Sequence, residues 1–245
     1  MRWPALASFA AAALALAIPA GAQIAPDSID ANPAQAAQSL RDLVGRYLDW
    51  RGPAFAQLET IHERLQIDTA IGRQAGGLWM GRDGRTRRET SSAAGTEIAV
   101  AAPGGSWRIG PSASPDDPKA FERARRYALL EFGDALTGRG GATVELAGSA
   151  EVEDHTWSVV RVGFGDADRY EALLDPVTGA LCCYRITEGG VARTELFGEW
   201  RLVDGVRMPF AELTKTDSET GARVSAIELN KALDPGLFQR PDAGG

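Results

Sequence analysis

Between Thr143 and Asn230 the chain reads as a run of short extended segments separated by turn signals too short to cross over. The segments "TVELAGSAEVE", "HTWSVVRVGF", "RYEALL", "ALCCYRI", "ARTELFGEW", "RLV", "VRMPFAELTKT" and "ARVSAIELN" alternate with "EDH", "GDAD", "DPVTG", "TEGG", "DG" and "DSETG". A parallel return needs a crossover of a dozen or more residues, so neighbours joined by two to five residues must run antiparallel. Upstream, Ile61, Leu65, Ile67 and Ile71 share one face of an extended run while His62, Arg64, Gln66 and Asp68 share the other. Asp83-Gly84 between two extended runs predicts a tight hairpin with both central residues at positive φ. "EIAVAAPGGSWRIG" adds two strands. The expectation is one long antiparallel meander.

Two helices interrupt it. Leu40, Leu43, Tyr47 and Trp50 recur at helical steps in "AQAAQSLRDLVGRYLDW", which starts near Pro33 and is stopped by "RGP" at 51–53. A second helix follows "PSASPDDP" and runs to about Leu136, with Phe121, Ala128, Leu129, Phe132 and Leu136 as its apolar stripe. Both stripes need burial, and the concave side of a curved sheet is the natural place. The fold class is therefore α+β, an open half-barrel with helices on its concave side.

The first 22 residues predict export. Arg2 precedes an Ala-rich apolar run that ends in Ala20-Gly21-Ala22, the pattern of a signal peptide cleaved before Gln23. Of the 245 residues, the 22 of that leader leave 223, enough for one large domain. The expected organisation is a signal peptide at 1–22, a flexible leader at 23–33, a single domain over 34–241 and a disordered tail at 242–245. A periplasmic monomer without a membrane anchor follows. The net charge of −7 argues against a nucleic-acid partner, because the arginines of "GRDGRTRRE" and "RARR" fall on a hairpin and a helix rather than on one basic face.

No catalytic pattern is found. His62 and His155 sit in no metal-ligand spacing, so neither a metal nor a cofactor is expected. "GFGDAD" lacks the helix and third glycine of a dinucleotide loop, and no nucleophile elbow or Walker-type lysine occurs. Asp116, Asp117, Asp175, Asp204 and Asp217 all fall at expected caps or turns. The adjacent Cys182 and Cys183 are expected to point to opposite faces of a strand, Cys182 buried and Cys183 more exposed, which rules out a relaxed bridge between them.

Several segments resemble those of the LolA-like periplasmic lipoprotein-carrier superfamily. "IELNKALDPGLFQRP" is similar to its closing strand and "LF" element, "PGGSWRIG" to its glycine-then-tryptophan strand, and "LLDPVTGAL" with "WRLVDGVRMPF" to its later hairpins, over about residues 35–241. "YLDWRGPAFAQLETIHERLQIDTA" with "VVRVGFGDADRYEALLDPVTGAL" further resembles the accessory domain that precedes retropepsin-like aspartic proteases in some exported bacterial proteins. The "IDTA" at 67–70 departs from the Asp-Thr-Gly of such proteases and has no second copy, so protease activity is not expected.

The resemblance implies a non-catalytic carrier for a lipid, a lipoprotein acyl chain or another apolar ligand. The alternatives are a module that holds a peptide or an envelope protein partner, and a hydrolase without a recognisable motif. Aromatic residues on strands and helices supply the candidate groove: Trp79, Trp107, Phe121, Phe132, Trp157, Phe164, Trp200 and Phe210.

Overall fold

The computed structural model describes residues 33–69, 72–111 and 117–241. The expected signal peptide, the leader up to residue 32, the tail at 242–245, Asp116, Ala70 of "IDTA" and Ile71 lie outside the described residues. Helix α1 (Pro33–Arg51) leads into β1 (Thr60–Thr69), β2 (Gly72–Gly81), β3 (Thr86–Ser92), β4 (Gly95–Ala102) and β5 (Gly105–Ile109). Helix α2 (Ala120–Glu131) precedes β6 (Thr143–Val152), β7 (His155–Gly163), β8 (Arg169–Leu174), β9 (Leu181–Glu188) and β10 (Val191–Gly198). A small hairpin of β11 (Arg201–Val203) and β12 (Val206–Met208) is followed by β13 (Ala211–Lys215) and β14 (Glu219–Leu229).

Twelve strands form one open antiparallel sheet, in the order β5-β4-β3-β2-β1-β14-β13-β10-β9-β8-β7-β6. The expected single meander is thus two, zipped together where β14 returns to β1, from Ile61 opposite Leu229 to Asp68 opposite Gly221. Short turns dictate only local pairing, and this long-range closure lies beyond them. Because β5 and β6 are the two edges, the connection through α2 must traverse a face of the sheet. The stretch read as one strand, "VRMPFAELTKT", breaks at Pro209: β11 and β12 pair only with each other, and β10 resumes the sheet with β13.

Turn chemistry holds in some hairpins and fails in one. Glu153-Asp154, Gly189-Gly190 and Asp204-Gly205 each have positive φ at both residues, the mirror-image turn that suits the strand twist. At Asp83-Gly84 only Gly84 is at positive φ (+92°), and the chain closes instead through Gly84 N–H to Gly81 O (2.9 Å) and Gly81 N–H to Arg85 O (2.8 Å). The Asp83 carboxylate accepts from Arg85 N (3.1 Å) and its Nε (2.7 Å), which favours the longer loop.

The core lies between the helices and one face of the sheet. Ile61, Leu65 and Ile67 point into it, as their alternation requires. Leu43, Val44 and Tyr47 of α1 pack with Val160, Tyr170, Leu174, Tyr184 and Ile186 of β7–β9. α1 comes so close to the β8–β9 turn that a Cβ on Gly179 (φ +76°) would lie 2.4 Å from Tyr47 N. α2 ends at Glu131, earlier than expected, because Gly133 (φ +73°) turns the chain into a short 3-10 segment, Ala135–Thr137. Phe132 and Leu136 still face the core.

Two smaller apolar clusters occupy other places. Val100, Ala102 and Trp107 pack under Phe238 of the C-terminal 3-10 segment Pro235–Phe238. Val159, Leu173 and Cys183 form the other, flanked by Trp157, Cys182 and Leu196. The cysteines correct the expectation. Both are free, but Cys183 is fully buried and Cys182 half-buried. The register of β8 against β9 jumps from Leu173 opposite Cys183 to Leu174 opposite Leu181, so Cys182 is the extra residue of a bulge. The bulge breaks the strict alternation, and Leu181 joins Tyr184 and Ile186 in the core.

Candidate functional site

Between α2 and the inner face of β1–β4, β10, β13 and β14 lies a cavity of about 400 Å³. It exists because the inward positions here are small: Ala99 and Ala101 of β4, Ala222 of β14, and Ala120 and Ala124 of α2. Leu65, Leu78 and Met80 supply apolar wall. Two sets of ion pairs pin α2 and the segment that follows it above this space. Arg82 in the β2–β3 loop forks onto Asp134 through Nε and Nη2, both at 2.7 Å, and holds its carboxyl below the usual range. Arg126 in α2 donates to Asp166 (2.6 Å) and Asp168 (3.0 Å) of the β7–β8 turn.

The remaining wall is charged. Glu195, Glu212, Arg88, Arg193 and Tyr127 all border the cavity. Arg193 bridges Glu195 and Glu188, each at 2.7 Å. Burial opposes the Arg193 charge, but the two carboxylates more than offset it and raise its pKa. Beside the cavity, Glu63 and Glu131 are 4% and 9% exposed. Burial pushes Glu131 up to about 7, against the pull of Arg51 and with further repulsion from Glu195. Burial and the charges of Glu131 and Glu195 push Glu212 up to about 7, and burial with Glu212 and Glu131 raises Glu63 well above the carboxylate range. Arg51, fully buried, donates to Tyr47 Oη (3.1 Å) and lies over the Phe55 ring at 4.2 Å.

These glutamates escaped the sequence reading, yet their signal is present. Glu63 holds an inward position among Ile61, Leu65 and Ile67, a carboxyl where the alternation demands an apolar side chain. Glu131 falls one turn after Tyr127 on α2, and Glu195 sits between Arg193 and Phe197 on one face of β10. A charge on the buried phase of an amphipathic segment is the informative departure.

The eight aromatic candidates are scattered, and none of them lines this cavity. Trp79 stacks on His62 (4.6 Å, 15°), on the β2 phase opposite to Leu78 and Met80. Trp107 lies in the cluster under Phe238, to whose carbonyl its indole N–H donates at 3.3 Å, and Trp157 lies in the Cys183 cluster. Phe121 borders a shallow surface depression with Pro103 and Pro118. Phe132 and Phe210 are buried in the main core, with Trp200 and Phe164 packed against it. Side-chain size selected these residues, but strand phase decides which face they serve.

The Asp68 of "IDTA" sits on the opposite phase of β1 from Leu65 and pairs with Arg73 at 3.0 Å. Among the described residues no three His, Cys, Asp or Glu side chains are placed to hold a metal ion, and no helix is long and apolar enough to cross a membrane.

No family model matches the sequence, and no curated protein does. Solved structures do show the fold. One is a LolA superfamily protein from Nitrosomonas europaea, with a TM-score of 0.55 at 10% identity over 82% of this chain and 97% of that one. Another is a DUF1329 family protein from Desulfovibrio piger, with a TM-score of 0.52 at 12% identity over 83% of this chain and 97% of that one. The likeness is one of fold: a large open antiparallel sheet with two helices, the LolA-like half-barrel.

Proposed function

We propose that this chain is an exported, non-catalytic carrier that holds the apolar part of a lipid, or of a lipoprotein acyl chain, in the cavity between α2 and the sheet. The cavity itself carries this reading: about 400 Å³, walled by Leu65, Leu78 and Met80 and by a row of alanines, within the size range of small-molecule sites. Apolar burial in such a site contributes about 25 cal/mol per Å² removed from water, so a hydrocarbon chain needs few specific contacts.

A peptide-holding accessory role, the alternative from the protease-associated resemblance, is less well served. Peptides dock on sheets by hydrogen bonding to a free edge. The free edges of the sheet are β5 and β6, and the cavity opens instead on the inner face, where apart from the edge strand β5 that supplies Arg108 the lining strands are paired on both sides.

Native mass spectrometry of the purified mature protein tests the carrier reading. Co-purified lipid, or uptake of a neutral long-chain alcohol after delipidation, is the expected result. A protein that carries no lipid and takes up no alcohol would overturn it.

A further inference from the structure

The charges around the cavity are sorted by depth. Glu63 of β1 and Glu131 of α2 are buried, Glu195 of β10 has a side chain 14% exposed, and Glu212 of β13 is half-buried. Arg88 and Arg108, which also border the cavity, are exposed, one on each side of Ala99 in the β3–β4–β5 register. Arg123 lies beside them, tied to Asp117. Carboxyls therefore stand at the inner end and guanidinium groups at the mouth.

The inner cations are committed elsewhere. Arg193 is shared between Glu188 and one oxygen of Glu195. Arg51 spends its Nη atoms on Tyr47 and on Met208 Sδ (3.6 Å). Two buried carboxylate oxygens, Glu131 Oε1 and Glu195 Oε2, accept no hydrogen bond of good geometry, and the one Tyr127 hydroxyl that lies against both carboxyls has a single proton to give. Glu131 does not itself line the cavity, but it is nine-tenths buried and its charge is felt by Glu63, Tyr127 and by Glu212 of the cavity wall, which places it in this inner cluster. A buried acceptor without a donor costs the desolvation of that atom, and the cost is greatest for carboxylates.

We infer that the cavity takes an amphiphile head first, with an ammonium group against Glu131, Glu195 and Glu212 and the hydrocarbon chain along Leu65, Leu78 and Met80. The inference rests on the carrier reading and names its ligand class. An ammonium group brings three donors, enough for both free oxygens and a third carboxyl, and charge-assisted bonds of this kind are about twice as strong as neutral ones. An anionic head in the same place would face three carboxyls, with Arg193 already shared between Glu188 and Glu195.

Proton release gives the mode a signature. In the protein alone Glu131 and Glu212 are held up to about 7 and Glu63 is raised well above its ordinary value, so these carboxyls keep part of their protons near neutral pH. An arriving cation favours their charged forms and expels protons. The other charged or titratable groups around them are Arg51 and Tyr47 of α1, Arg88 of β3, Arg108 of β5, Arg123 and Tyr127 of α2, Tyr184 and Glu188 of β9, and Arg193 and Glu195 of β10. The three tyrosines titrate above their ordinary value, mainly through burial.

The test is calorimetric titration of the mature protein at pH 7.5 with decylammonium, decanol and decanoate below their aggregation concentrations, in two buffers of different ionisation enthalpy. Decylammonium is expected to bind about tenfold more tightly than the other two, with a heat that differs between buffers as protons are released. The Glu131→Gln, Glu212→Gln double variant should bring decylammonium to the decanol level and leave decanol unchanged. If decanol binds but decylammonium binds no more tightly than decanol or decanoate, or releases no protons, the head-first ammonium mode is overturned while the carrier reading stands. If none of the three binds, both fall.

Discussion

The inner face of one sheet serves two different ends in this molecule. Under α1, the inward positions of β7–β9 carry Val160, Val162, Tyr170, Leu174, Tyr184 and Ile186, and the helix adds Leu43 and Tyr47, so the space is filled. Under α2, the inward positions of β2–β4 and β13–β14 carry Leu78, Met80, Ala99, Ala101, Glu212 and Ala222, and the helix adds Ala120 and Ala124. The alternation is the same in both halves. Side-chain volume and charge at the inward phase separate a packed core from a cavity, and the ion pairs of Arg126 in α2 and of Arg82 with Asp134 just beyond it hold the helix over the hollow half.

That contrast can be broken most directly at its centre. Tyr184→Ala should cost about 3–5 kcal/mol in urea denaturation, since it empties a fully buried site and removes the hydroxyl that donates to Leu130 O at 3.3 Å. Leu78→Ala, on the hollow side, should cost about 1 kcal/mol or less, because that half-buried side chain already borders open space. Equal costs would mean that the two halves are packed alike.

A smaller effect comes from the carboxyls. Glu131 and Glu212 have folded values of about 7 against 4.5 when unfolded, so between those values the folded state holds more protons. Stability contributed by the protonated carboxyls is therefore present in full below about pH 4.5 and lost as pH rises through 7. A shift of that size is worth roughly 3 kcal/mol per group at most. Thermal unfolding of the empty protein should show a lower Tm at pH 8 than at pH 5, and Glu131→Gln should raise the midpoint at pH 8 and flatten the slope. A Tm that rises from pH 5 to pH 8 in the wild type would contradict the buried carboxyl cluster.

The outer cluster gives a third, milder contrast. Phe238→Ala should cost about 2 kcal/mol and shift the Trp107 fluorescence to longer wavelength, because the Phe238 ring covers Trp107 from the C-terminal segment. An unchanged spectrum would place that tryptophan elsewhere.

Legibility from sequence followed the range of each interaction. The strands of residues 143–230, both helices and the inward phase of Ile61, Leu65 and Ile67 were readable, because alternation and turn residues are local. The β1–β14 closure was not, since nothing in either strand names its partner across the chain. Trp79, Trp107 and Trp157, chosen by bulk without regard to strand phase, lie away from the cavity. Cys182 leaves the core phase because of a bulge opposite Leu173 and Leu174, and Cys183 is buried because the other face carries its own cluster with Val159 and Leu173; neither leaves a trace in composition. For the candidate site the useful signal was the opposite of bulk: alanines where a core would want leucine, and glutamates on an apolar phase.

The smallest expected effect on stability accompanies the largest on binding. Ala124→Phe places a ring in the cavity from α2 and should leave the midpoint of unfolding within about 1 kcal/mol of wild type, as open space is available for it. Calorimetric titration of decanol over a range of temperatures then tests whether the hollow half is a binding site. The expected result is binding with a negative heat-capacity change in the wild type and none in Ala124→Phe. Equal binding by both proteins would place the ligand elsewhere and contradict the cavity as the site.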